Sequence, residues 1–311
     1  MNQDGNSRDE TYHRPVLVEE VAELLRPVMP GVVIDATFGG GGHSRRLLDE
    51  FGDDVSIVAI DRDPEALKNA EGLGVMALQG NFADLATLID SVLDEAPSAI
   101  LFDFGVSSHQ LDEPSRGFSY RFDGPLDMRM GPDTAITAAR IVNEWDEQDL
   151  ARAIRQYGEE PLARRYAQAI IRARPIQTTA QLSTVIAEAT PAARRRAGHP
   201  ARRTFQAIRI AVNAELDAVR SGIDQAIESV RVGGRVIAIS YHSLEDRIVK
   251  QRFAEGARGC TCPPGLPVCG CGNTAELRIL TRKAIRSSPE EIESNNRARS
   301  AVLRGVERLV A

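Results

Sequence analysis

The chain has 311 residues, 42% of them hydrophobic and 26% charged, with a formal net charge of −6. That length buries a full core and favours two domains over one. No run of about 18 apolar residues occurs, so no membrane span is expected, and the polar first ten residues lack the apolar stretch of a secretory signal, which points to the cytoplasm.

The chain opens with an entry loop and an amphipathic helix over residues 13–25, closed by Pro27 and Pro30. An apolar run at 32–34 then leads through Asp35 into four glycines, Gly39 to Gly42, and residues 44–51 have helical spacing. Strand, glycine turn and helix are the opening unit of a nucleotide-binding α/β sheet. The glycines fall as Gly39-x-Gly41-x-x-Ser44, so the third glycine of the dinucleotide fingerprint is missing. Taken alone the signal is weak, and a glycine turn with no ligand stays open as the lesser reading.

A second buried strand, 55–60, ends on Asp61, 20 positions after Gly41, where such folds place an acid on the ribose of an adenosine. The alternative, a helix cap, suits Asp63 better, because Pro64 then takes the first helical position. That leaves Asp61 for a ligand. A third strand, 75–79, leads to Phe82, which either faces an adenine ring or packs in the core. A fourth, 98–102, ends on Asp103. Asp61, Phe82 and Asp103 thus all follow strand ends, the edge at which open α/β sheets bind ligands. Helices alternate with these strands, so the sheet is expected to be mostly parallel.

The alternation stops after Asp103. Residues 104–130 carry aromatic, Gly, Pro and Arg residues without a period and read as a long functional loop. Helical spacing follows at 149–155, 162–172, 179–188 and 204–219. Between Leu150 and Asn213 stand 12 Arg, no Lys and three acids, a net +9 within an acidic chain. Such a segment suits a polyanion surface, a solvated helical face being the alternative. A fifth strand at 233–240, a helix from His242 and two antiparallel strands within 277–285 and 300–308 complete the sheet. The expected organisation is a sheet domain in two parts, 1–111 and 213–311, around an α-helical insertion, 112–212.

All four cysteines, Cys260, Cys262, Cys269 and Cys271, lie in one C-x-C-x6-C-x-C pattern. Four thiolates can hold a structural zinc, but C-x-C pairs are tighter than the usual C-x2-C. A proline-rich loop with reduced thiols stays open, and no metal is assigned.

These stretches resemble the MraW family of bacterial 16S rRNA methyltransferases. The match rests on Asp-Ala-Thr-Phe-Gly-Gly-Gly-Gly-His-Ser at 35–44, Ala-Ile-Asp-Arg-Asp-Pro at 59–64 and Asp-Phe-Gly-Val-Ser-Ser at 103–108. It continues through Gly-Pro-Leu-Asp-Met-Arg-Met at 124–130, Arg-Thr-Phe-Gln-Ala-Ile-Arg-Ile at 203–210, Tyr-His-Ser-Leu-Glu-Asp-Arg at 241–247 and Asn-Arg-Ala-Arg-Ser at 296–300. The resemblance implies a Rossmann-like class I S-adenosylmethionine methyltransferase sheet with an inserted helical domain. It implies N4 methylation of a cytidine at the decoding centre of the small ribosomal subunit. By position it assigns Gly41, Gly42 and His43 to the methionine part of the cofactor, Asp61 to the ribose, Phe82 to the adenine, and Asp103 and Gln110 to the methyl-donor pocket. His109 and Phe104 depart from the commoner proline and leucine, and some relatives lack the cysteine cluster.

Cytosine N4 is a poor nucleophile because its lone pair is delocalised into the ring, so an acceptor for its amino protons is needed. DNA amino-methyltransferases supply one from a Pro-Pro-Tyr/Phe loop after the fourth strand. Here that place holds Asp103-Phe-Gly-Val without the Pro-Pro-Tyr, so the candidate acceptor is Asp103 or a neighbouring backbone carbonyl. An unstacked target base would find Phe104, Phe118 or Tyr120 nearby, unless these rings serve loop packing. Arg194, Arg195, Arg196, Arg202 and Arg203 are the densest basic group and the candidate RNA surface, although Arg203, like Arg209, could instead pair with acids. Two rivals are disfavoured. A nicotinamide-dependent oxidoreductase lacks its full glycine fingerprint here, and a non-catalytic RNA-binding module would not need Asp61, Asp103 and Gln110 together.

Overall fold

The computed structural model describes residues 15–194, 198–260, 262 and 270–310. Seven strands form one sheet: β1 Gly31–Asp35, β2 Val55–Asp61, β3 Met76–Gln79, β4 Ala99–Asp103, β5 Arg235–Ser240, β6 Leu277–Ile279 and β7 Val302–Arg308. Their order is β3-β2-β1-β4-β5-β7-β6. The first five are parallel, and β7 runs antiparallel to both β5 and β6. The parallel sheet and the antiparallel finish agree with the sequence pattern, and the order is that of class I methyltransferases.

Both faces of the sheet are covered, which is why its strands read as continuous apolar runs. Successive side chains alternate between faces. Ile34, Ile100, Phe102, Val236 and Ala238 enter one core with Val219, Ile223 and Ile227 of the helix Glu215–Ser229. Val33, Leu101, Ile237 and Ile239 enter the other, with Val21, Ala22 and Leu25 of the helix Val18–Leu25 and Leu47 of the helix Gly42–Phe51. The register pairs Asp35 with Ala59 and Leu101, and Asp103 with Ile239, so the carboxyl ends of β1, β2, β4 and β5 share one edge.

The chain divides into two compact units, one of residues up to Gly105 together with those from Leu216, the other Val106–Glu215. Within the second, the described residues form five longer helices and no strand: Ala138–Glu144, Glu147–Gly158, Ala163–Ala173, Thr179–Ala189 and Arg202–Asn213. Thr137, Asp146 and Thr178 cap three of them through side-chain oxygens, each satisfying an amide that the first turn leaves unpaired. Ile141, Leu150, Ile154, Tyr166, Ile170, Leu182 and Phe205 close their core.

One expected helix is broken. The spacing over 204–219 predicts a single helix, but Ala214 takes a left-handed φ of 49° and separates Arg202–Asn213 from Glu215–Ser229. Side-chain bonds hold the break. Asn213 donates through Nδ2 to the Met128 carbonyl (2.7 Å) and accepts from the Met130 amide (2.8 Å), and Arg209 grips Glu215 with two bonds of 2.8 Å. Such contacts override the helix preference of alanine.

Candidate active site

The site is built on the shared strand edge. After β1 the chain turns through Thr37 to Gly41 and enters the helix Gly42–Phe51. Gly41 has φ +71°, and a Cβ there would stand 2.7 Å from the buried Phe38 ring, so glycine is required on both counts. The Thr37 hydroxyl accepts the Asp103 amide at 2.5 Å, tying this turn to the end of β4.

Asp61 is not left without a local task, as the capping argument had implied. Asp63 does cap its helix, accepting the Glu65 amide at 3.1 Å, with Pro64 at the first helical position. Asp61 nevertheless accepts the Gly39 amide on Oδ2 and the Asp63 amide on Oδ1, both at 2.8 Å. It locks the glycine turn to β2. Burial raises its pKa to about 6, the two amides and nearby carboxylates being smaller influences. Each carboxylate oxygen has a second lone pair for a further donor.

Behind the turn lies a polar cluster that spacing alone did not reveal. The Ser44 hydroxyl donates to Asp35 Oδ2 at 2.7 Å, and the buried Asp35 Oδ1 has no hydrogen-bond partner among the described residues. His43 is also buried. Its Nε2 stands 3.4 Å from Asp103 Oδ2, an ion-pair distance, yet neither ring nitrogen makes an aligned hydrogen bond. Burial opposes the imidazolium, but Asp103 and Asp35 together outweigh it and hold the His43 pKa above its ordinary value. For Asp35 burial dominates and pushes the carboxyl pKa up.

Tyr241, immediately after β5, completes the cluster by donating its hydroxyl to Asp103 Oδ1 at 2.8 Å. Burial and the Asp103 charge push this phenol well above its ordinary pKa, so it keeps its proton and remains a donor. Asp103 is therefore held from three sides: the amide by Thr37, one oxygen by Tyr241, the other facing His43. Its side chain is still 16% exposed, enough to reach a ligand.

Phe82 belongs to an aromatic group with Phe102 and Phe104, its ring 5.6 Å from each. A Cβ on Gly222 would meet the Phe82 ring at 2.7 Å, so that glycine gives the ring its room. The three rings considered for base stacking have packing partners. Phe104 stacks on Phe102 at 5.2 Å and is buried, Phe118 is buried, and Tyr120 stacks on His199 at 4.3 Å. All three thus take part in loop or core packing.

Gln110 lies in the second unit, buried, its Oε1 accepting the Ser107 amide at 3.1 Å. The basic residues of that unit separate into two kinds. Arg203 donates to the Glu159 carbonyl at 3.0 Å and lies 3.9 Å from Glu160, and Arg209 is the bidentate partner of Glu215. Both thus have partners within their own unit. Arg155, Arg172, Arg194 and Arg202 are exposed and make no salt bridge among the described residues. Arg195 and Arg196 lie outside the described residues.

The strand order, the glycine turn and an acid closing β2 over it define a class I S-adenosylmethionine-dependent methyltransferase. The chain belongs to the MraW methylase family, whose model matches residues 10–309. It is 50% identical to the ribosomal RNA small subunit methyltransferase H of Symbiobacterium thermophilum, over 96% of this chain and 98% of that protein. It is 49% identical to the protein of the same name from Thermomicrobium roseum, over 96% of this chain and 94% of that one. A solved rRNA methylase from Streptococcus thermophilus is similar at a TM-score of 0.41 and 11% identity, covering 96% of this chain and 99% of that chain, too remote to bear on function.

Proposed function

We propose that the protein transfers the methyl group of S-adenosylmethionine to N4 of a cytidine in 16S rRNA, at the decoding centre of the small ribosomal subunit, in the cytoplasm. The single observation that carries this reading is the Asp103 carboxylate, fixed between Tyr241 and His43 at the carboxyl end of β4 and still open to a ligand.

The residues present fit the cofactor. Asp61 retains acceptor capacity for ribose hydroxyls, and Phe82 stands just past β3 for the adenine. Gly41 and Gly42 open a helix whose first amides lack intrahelical partners, and the buried His43 nitrogens offer polar contacts to the methionine part. Gln110 is assigned to the methyl-donor pocket by the family motif. When bound, the cofactor supplies an electrophilic methyl group on a sulfonium.

The chain's own task is to make the amine a better nucleophile. Asp103 accepts a hydrogen bond from the N4 amino group, localising the lone pair on nitrogen, and takes the proton that N4 gives up. Tyr241 fixes the carboxylate in one orientation, so no reorganisation is needed as charge moves. His43 Nε2, 3.4 Å from the other carboxylate oxygen, helps to hold Asp103 in place. The exposed arginines of the second unit, Arg194 and Arg202 foremost among the described ones, contact RNA phosphates.

Incubation with methyl-labelled cofactor and small subunits lacking the modification tests the substrate. Label in 16S rRNA is the expected result. Cofactor binding without label in that RNA, naked or assembled, contradicts the proposal.

A further inference from the structure

The cysteine loop lies apart in sequence from every residue assigned above to methyl transfer. It runs between the helix Ser243–Gly256 and β6, and its base is closed by the Glu276 amide donating to the Gly256 carbonyl at 2.8 Å and by Arg252 pairing with Glu276 at 3.1 Å. Above that base no described residue from Arg258 to Glu276 is buried. Where burial supplies little order, small folds often use a metal.

The thiols are arranged for one. The sulfurs of Cys260, Cys262 and Cys271 lie within 4.8 Å of one another, and those of Cys260 and Cys271 are 3.7 Å apart. Two thiolates about 2.3 Å from a tetrahedral zinc stand about 3.8 Å apart. A disulfide would bring two sulfurs to about 2.05 Å. The Cys262 amide also donates to Cys260 Sγ at 3.4 Å, a bond that stabilises negative charge on a ligand sulfur. A soft, three-sulfur set favours zinc over magnesium or calcium.

We propose that Cys260, Cys262 and Cys271 bind one zinc ion that cross-links this loop. The fourth position of the tetrahedron is taken by a further donor of the loop or by solvent. Cys269 lies outside the described residues. The role is structural, since the loop is remote in sequence from the turn and strand ends that hold Asp61 and Asp103.

The test uses the full-length protein, purified without chelator and equilibrated with Zn²⁺. About one zinc per chain is expected by elemental analysis, and the double variant C260S/C271S should lose it while keeping its thermal unfolding transition above the working temperature and its cofactor affinity. Co²⁺ in place of Zn²⁺ should give the charge-transfer absorption of thiolate ligands in tetrahedral geometry. Zinc should also slow proteolysis within residues 257–275 of the wild-type chain and leave the double variant unprotected. Wild-type protein that holds no more zinc than the double variant, or that binds Co²⁺ without thiolate charge transfer, overturns the proposal.

Discussion

The sheet unit and the helical unit carry their charged groups in opposite ways. On the sheet, Asp35 and His43 are buried, and Asp61 and Asp103 are pinned by backbone amides, a tyrosine and an imidazole. Among the helices, Arg155, Arg172, Arg194 and Arg202 project from the surface without salt bridges among the described residues. The first arrangement suits chemistry, which gains from fixed dipoles in a site of low dielectric. The second suits a grip on a polyanion, which gains from charges free to displace counterions. Mutations should therefore separate rate from affinity.

The largest effect is expected at Asp103. Asp103→Asn should lower the single-turnover rate at saturating RNA by about 10²–10⁴, the usual range for losing a general base, with RNA affinity within twofold of wild type. A rate near wild type would remove Asp103 from the chemistry and break the comparison.

Next come the surface arginines. Arg194→Ala with Arg202→Ala should flatten the dependence of log affinity on log salt by about 0.7–0.9 for each lost phosphate contact. Cofactor affinity should not change. Arg203→Ala should instead lower the thermal midpoint with little change of slope, because Arg203 is committed to Glu159. A flattened slope in Arg203→Ala and none in the other pair would reverse these assignments.

Asp61→Ala should weaken cofactor binding roughly tenfold or more, since hydrogen bonds to a charged group contribute about 1.5–3 kcal/mol. The pH dependence sharpens this. In the proposed complex, ribose hydroxyls donate to the ionised Asp61 carboxylate, whose pKa is about 6 in the ligand-free protein. Bound ligand favours the ionised form, so affinity should decline as pH falls through about 6 and be level above it. Asp61→Asn should abolish the decline, as read by calorimetry with S-adenosylhomocysteine.

Tyr241→Phe is expected to have the smallest effect, a rate loss of about two- to tenfold, because the carboxylate survives and loses one donor. Its KM values should stay near wild type, so that the loss falls on kcat. An unchanged kcat with a lowered thermal midpoint would make Tyr241 a packing residue only.

The sheet and the strand edge that gathers Asp61 and Asp103 were legible because they rest on local signals: apolar runs, a glycine turn, and acids at fixed distances after them. Asp63 was legible as a cap for the same reason, through Pro64. The environment of Asp103 was not. Tyr241 lies 138 positions away, and only the pairing of β4 with β5 brings the two together. The break at Ala214 was hidden too, since alanine favours a helix and the bonds that open it come from Met128 and Met130 in a distant loop. Charge counting found a basic segment but did not separate Arg203 and Arg209, bound to their own unit, from Arg194 and Arg202.

The central claim is that the acceptor is an exocyclic amine served by a carboxylate. The direct measurement is mass spectrometry of nucleosides from 16S rRNA methylated by the wild-type protein. The new methyl group is expected as N4-methylcytidine, with Asp103→Asn forming the same product far more slowly. A methyl group on cytosine C5, on a ribose or on a purine would contradict it.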